Sequence, residues 1–457
     1  STQGVSSAAS DVYKRQPSGT ARMPCPAGAY GWRPLVLSAV LFFIIGFVTW
    51  LNGPLISFVR VAFSLNDLAA FLVPLVFYCS YVLFSIPASL SVMRIGFKNG
   101  LVCALLVMAS GMALAGQCLH AGSYPGALVG FLVLGAGLAV LQVAINPYVS
   151  FLGPDNRSAQ RIAIMGICNK LGGIVAPIAL ATLAMRHIAD MAATLPTLAD
   201  PARRLSVRQA FLHAIYWPYM GMAFLLALTA IWAARSSLPD IQTDFCTDTK
   251  KEKRFIAVLA SSLTRRTLLG AGAMFFYVGV EVLCGDAVGT YAQGFGISLD
   301  QTRFFTSLTL FSMLCGYVCG LVLSPRFISQ ERYLVVSCLG GGLLGMAAWA
   351  TDGYVSVACV TLLGFANSMI FPSLFPLALK GAGRHTAQVS AFLVMAYCGG
   401  GIVPQFFVLL KPFLGFQAAF AGLALLSYGL IATYACHFMG DTHNKTTDYG
   451  KRYSNHD

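Results

Sequence analysis

Residues 159–175 read AQRIAIMGICNKLGGIV, and residues 387–403 read AQVSAFLVMAYCGGGIV. Ala-Gln opens both stretches, and Gly173-Ile174-Val175 falls on Gly401-Ile402-Val403 in the same register. Cys168 and Cys398 match two positions out of step. Each stretch lies in an apolar run long enough to cross a bilayer, which takes about 20 residues of helix. Working outward, twelve such runs are found, at 34–59, 69–92, 100–119, 125–152, 160–186, 211–234, 267–292, 301–324, 333–350, 354–379, 386–410 and 416–437. The matching stretches are the fifth and the eleventh. A repeat six spans apart gives each half the same membrane orientation, the pattern of a parallel internal repeat. The expected fold is an all-α polytopic membrane protein of two pseudo-symmetric six-helix bundles.

Composition supports that reading. Hydrophobic residues make up 57% of the 457 residues and charged residues only 10%. Soluble domains carry about 25% charged residues, so lipid must solvate most of this surface. The net charge of +13 is then a loop property rather than a nucleic-acid signal, because Lys and Arg gather in cytoplasmic loops. Most of the thirteen cysteines sit inside apolar runs without CxxC pairing, as free thiols that pack like small hydrophobes do. No metal site and no cofactor are expected.

With the N-terminus cytoplasmic, the inside loops hold most of the basic residues, among them Arg94, Lys98, Arg157, Arg161, Arg326, Arg332, Lys380 and Arg384. Both termini are therefore expected in the cytoplasm. The expected organisation is an N-terminal segment 1–22, a first bundle 23–235, a polar cytoplasmic linker 236–266, a second bundle 267–437 and a tail 438–457. Ser6 to Gln16 (SSAASDVYKRQ) reads as the in-frame translation of a sequencing adapter, and Met23 is the expected native start.

Ionisable groups within a span are expensive and need a reason. Lys170 in the fifth run, and Glu281 and Asp286 in the seventh, stand deep in apolar sequence. Glu281 and Asp286 are five residues apart, which on an ideal helix separates them by about 140°. Both would face one cavity only if the helix unwinds, and Gly279, Gly285 and Gly289 permit that. A carboxylate there can exchange a proton as access alternates, or it can pair with Lys170. Amides form a second set: Asn52, Gln142, Asn146, Asn169 and Asn367. Gln142 and Asn146, at i and i+4, share a helix face. Carboxamides both donate and accept, which suits the hydroxyls of a sugar, and Tyr277, Phe371 and Tyr397 could stack on its ring. Interhelical hydrogen bonding without a ligand is the alternative. Arg94 and Lys98 sit where a cytoplasmic gate loop would lie, and Asn66-Asp67 reads as a helix N-cap.

WLNGPL at 50–55, FYCSYVLFSIPA at 77–88, RIGFKNG at 94–100 and LQVAINPYVSFLGP at 141–154 recur in order with NKLGG at 169–173, YVGVEV at 277–282 and NSMIFPSLFPLALKG at 367–381. Together they resemble the fucose–proton symporter family of the major facilitator superfamily, especially its bacterial glucose/galactose branch. The resemblance implies a monosaccharide importer, usually driven by protons. It also implies that the family's coupling aspartate in helix 1 falls on Gly53, its functional glutamate in helix 4 on Gln142, and its substrate-side asparagine in helix 5 on Asn169. Gly53 and Gln142 cannot hold a proton, so coupling is expected on helix 7, at Glu281 or Asp286. The partners expected are a sugar, H⁺ or Na⁺, and the bilayer, with the chain a monomer. An exporter of drugs or metabolites, or a non-transporting sugar sensor, remains as an alternative. A membrane-embedded enzyme would need a nucleophile or paired carboxylates at a loop, and the loops offer neither.

Overall fold

The structure is a computed structural model that describes residues 32–151, 158–183, 188–197, 200–236, 264–323, 330–379 and 386–454. Twelve helices among them are long and apolar enough to span a membrane: α1 Pro34–Ala62, α2 Asp67–Val92, α3 Phe97–His120, α4 Tyr124–Asn146, α5 Arg161–Leu183, α6 Leu205–Arg235, α7 Arg265–Asp286, α8 Leu299–Leu323, α9 Arg332–Ala350, α10 Gly353–Leu379, α11 Gln388–Leu414 and α12 Phe416–Phe438. Each coincides with one of the runs read from the sequence. Trp217, Phe224, Leu343 and Phe413 turn outward and are well exposed. That is unfavourable in water and correct in lipid.

The two halves pack alike. In the first, α1 lies on α5, α2 on α4, and α3 on both α4 and α6; in the second, α7 lies on α11, α8 on α10, and α9 on both α10 and α12. The matched stretches explain the first of these pairs. A Cβ on Gly172 would run into the backbone of Phe43 in α1, and one on Gly399 into the backbone of Phe275 in α7. Glycine permits both close approaches, which lets the helices pack backbone to backbone, as membrane helices with small interface residues do.

Helix termini follow local chemistry. Asn66 caps α2 by accepting from the Ala69 amide at 2.8 Å. The helix containing α6 starts earlier than its apolar run suggests, at Pro201, where Asp200 accepts from Ala202 at 3.0 Å. Beyond α12 the helix continues to Ser454, into the expected tail. The expected segment 1–22 and most of the expected linker, residues 237–263, lie outside the described residues.

Several helices are interrupted at mid-depth. α1 consists of Trp32–Thr49 and Asn52–Ala62. α7 ends at Asp286 and a short helix, Val288–Gln293, continues it. α10 breaks between Asn367 and Ile370, and α11 tightens into a 3₁₀ turn at Ala396–Cys398. In lipid, irregular backbone is tolerated only where protein or a water-filled cavity surrounds it, so these breaks mark the centre of the bundle.

Candidate functional site

The breaks surround a cavity on the seam between the halves. It spans about 910 Å³ of empty space, counting the part open to solvent. Its walls come from both bundles: Thr49 and Trp50 of α1, Tyr78 and Tyr81 of α2, Gln142 and Asn146 of α4, Asn169 and Lys170 of α5, Tyr277 and Glu281 of α7, Tyr317 of α8, Phe371 of α10 and Tyr397 of α11. From that level the cavity runs toward the end of the bundle that bears the chain termini, reaching Val149, Ile162 and Phe375.

At its centre Lys170 of the first half meets Glu281 of the second, Nζ to Oε1, at 2.7 Å. The two side chains are 5% and 12% exposed, so each needs the other. The Lys170 ammonium also lies 4.6 Å from the centroid of the Trp50 ring, within cation–π range. Paired in this way, the two charges cancel, and the polar wall is suited to a neutral ligand.

Around the pair stand donors and acceptors. Gln142 Nε2 donates to the Tyr81 hydroxyl at 2.8 Å, which leaves its carbonyl available. Asn169 Nδ2 donates to the Phe42 carbonyl at 3.3 Å. The buried hydroxyls of Tyr277 and Tyr397 reach no full hydrogen-bond geometry, although Tyr397 stands beside Asn146. Tyr277 stands close enough to Glu281 to feel its charge, but outside hydrogen-bond geometry. Buried hydroxyls seldom go unpaired, and both face a space that a ligand could fill.

Of the residues singled out in the sequence, Gln142, Asn146, Asn169, Tyr277 and Glu281 meet here. Asn52, Asn367 and Asp286 do not line the cavity. Asn367 sits at the break in α10 and its Oδ1 accepts from Tyr428 at 2.9 Å, an interhelical bond. Asn52 opens the second segment of α1 and is buried away from the cavity. α7 is continuous through Arg265–Asp286, so Glu281 and Asp286 point different ways, as an unbroken helix requires. Its break falls after them, not between them. The Asp286 carboxylate instead stands over Gly53, the position where the resemblance sets a helix 1 aspartate. Lys98 donates to the Ser236 carbonyl at 2.7 Å, within the first half, while Arg94 is exposed.

Trp50, Tyr78, Tyr81 and Tyr317 were not singled out as site residues, and the pairing of Lys170 was read only as an alternative. Aromatic residues are common in spans, so only their place in WLNGPL and FYCSYVL could have flagged the first three.

Away from the termini the seam is closed. Asp67 bridges Arg60 at 2.8 Å and Lys411 of the other half at 2.7 Å. Arg60 also donates to Gln293 across the seam, and Gln405 donates to the Leu68 carbonyl at 3.2 Å.

A two-bundle helical membrane protein with a largely apolar cavity on the seam into which a few polar groups converge, shut at one end and reaching toward the other, is a carrier of small solutes. The chain belongs to the major facilitator superfamily, whose family model matches residues 38–404. It is 32% identical over 412 residues to the "Glucose/galactose transporter" of Brucella abortus, covering 89% of this chain and 93% of that one. It is 26% identical to the "L-fucose-proton symporter" of Escherichia coli over 85% of this chain and 87% of that one. Among solved structures, the major facilitator transporter FucP in the outward conformation superposes with a TM-score of 0.73 at 25% identity, over 88% of this chain and 98% of that chain.

Proposed function

We propose that this protein imports a neutral monosaccharide, a hexose of the glucose or galactose type, across a bacterial cytoplasmic membrane, coupled to protons. The observation that carries this is the convergence of Gln142, Asn146, Asn169, Tyr277 and Tyr397 on one charge-compensated cavity between the halves. Amides and phenols match sugar hydroxyls, and aromatic walls at Trp50 and Phe371 match a pyranose face. The relatives named for glucose, galactose and fucose transport support the same substrate class.

The working cycle follows from the two ends of the seam. The basic loops support a cytoplasmic side for the termini end, and the ties at Asp67, Arg60, Lys411, Gln293 and Gln405 then close the outer end. Breaking them lets the bundles rock and opens the cavity outward. Sugar then binds to groups from both halves and draws the seam together, and the Arg94–Lys98 loop takes part in closing the inner end. Uptake of labelled glucose, galactose and fucose into membrane vesicles tests this. Saturable uptake of at least one, raised by an inward-directed proton gradient, is expected. Absence of uptake for all of them contradicts the proposal.

A further inference from the structure

Asp286 is 2% exposed. Neither of its oxygens completes a hydrogen bond. It lies at mid-depth, where the second segment of α1 begins. Were a Cβ present on Gly53, it would stand 3.0 Å from Asp286 Oδ1 and 2.5 Å from Thr306 Oγ1. The missing side chain thus makes the room that the carboxylate occupies. The α1 segment starting at Asn52 has no side-chain cap. Its N-terminal end lends partial positive charge to whatever faces it. The Gly53 amide interacts with the carboxylate without reaching hydrogen-bond geometry.

The charged groups whose field reaches Asp286 are Glu281 and Lys170, which neutralise one another, and the phenol of Tyr78 faces it too. Arg60, two turns along α1, is engaged by Asp67 and Gln293. No cation forms an ion pair with Asp286 among the described residues. An ionised carboxylate this buried, with neither ion pair nor hydrogen bond from the protein, costs several kcal/mol, whereas a carboxylic acid there costs far less. Glu281 is in the opposite position: protonating it would strand Lys170.

We infer that Asp286 is the proton-binding site of the carrier, separate from the Lys170–Glu281 pair that grips the sugar. The inference rests on the proposed importer. In the outward state the half-helices Asn52–Ala62 and Val288–Gln293 part, water reaches the carboxylate, and an external proton forms an O–H bond to it. In the closed state the acid is buried neutral against Gly53. Release toward the cytoplasm passes Trp50, whose ring packs on Gly285 and also lines the cavity. There the O–H bond breaks and the proton goes to water in the cavity. Trp50 also stacks on Lys170, so a sugar that moves the ion pair moves the barrier between Asp286 and the cavity.

The test uses full-length protein in proteoliposomes with labelled galactose and glucose. An imposed gradient of about one pH unit drives about tenfold accumulation in the wild type at one proton per sugar. In Asp286→Asn, which mimics the protonated acid, that accumulation falls to equilibration, and exchange between preloaded and external sugar persists within about threefold. Gradient-driven accumulation in Asp286→Asn overturns the inference. Loss of exchange along with accumulation also overturns it, because a neutral side chain should be tolerated there. If the wild type exchanges neither sugar, the importer proposal fails on its own. The proton site is then judged by infrared spectroscopy of purified protein. The carbonyl band of a protonated carboxylic acid, absent from Asp286→Asn, supports it; an identical spectrum in both sinks it.

Discussion

The seam between the bundles is held by ion pairs at two levels, and the two levels differ in burial. At the outer end the Asp67 carboxylate takes Arg60 and Lys411, with side chains 22–29% exposed. At mid-depth Lys170 takes Glu281 with side chains 5% and 12% exposed. Geometry is nearly the same, 2.7–2.8 Å in each case. The surroundings set what each pair can do. Exposed pairs contribute about 0–1 kcal/mol and weaken with salt, which suits a latch that must open in every cycle. A buried pair contributes little net stability, but breaking it by removing one partner costs about 3–5 kcal/mol. That suits a contact that sugar rearranges and that never stands alone.

The largest effect expected from this contrast is at mid-depth. Glu281→Gln leaves Lys170 buried and alone, so both uphill uptake and sugar exchange should be abolished in vesicles. Replacing both partners by neutral residues, Lys170→Met with Glu281→Gln, should restore protein yield and thermal stability but not uptake. Stability that stays low in the double variant would show that the two charges do not depend on one another. A smaller effect is expected in the sugar wall. Gln142→Ala or Asn169→Ala should each raise the half-saturating sugar concentration about fivefold, the equivalent of one neutral hydrogen bond of about 1 kcal/mol. The smallest is at the outer latch. Lys411→Ala should shift the population toward the outward-open form by about fivefold or less. Distances between spin labels on the outer ends of α1 and α7 would report that shift, and wild type in high salt should move the same way.

Much of this was legible in the sequence, for reasons that can be traced. Charge scarcity and run length gave the spans, because lipid imposes both. The repeat around Gly173 and Gly401 gave the duplication, because each stretch carries a glycine, Gly172 or Gly399, that its helix needs to pack backbone to backbone on α1 or α7. Gln142 and Asn146 could be placed on one face because α4 is unbroken there. Likewise, the five-residue spacing of Glu281 and Asp286 already said that an intact α7 would separate them. Asn52 and Asn367 read the same way as the cavity amides, yet they sit beside breaks in α1 and α10, where a helical wheel no longer gives direction. The Lys170–Glu281 contact joins residues 111 apart in the chain. The sequence offered that pairing only as an alternative, since nothing local brings α5 to α7. The place of Asp286 over Gly53 was not legible at all, because it depends on where two broken helices cross.

Everything turns on the sugar occupying the seam beside Trp50. A variant that keeps Trp50 as its one tryptophan, with Trp32, Trp217, Trp232 and Trp349 replaced by Phe, makes that position directly visible. Titrating the purified variant with galactose or glucose should give a saturable change in tryptophan fluorescence, weakened by Gln142→Ala in proportion to its loss of uptake affinity. Fluorescence indifferent to sugar, in a variant that still transports it, would place the substrate elsewhere and contradict the account.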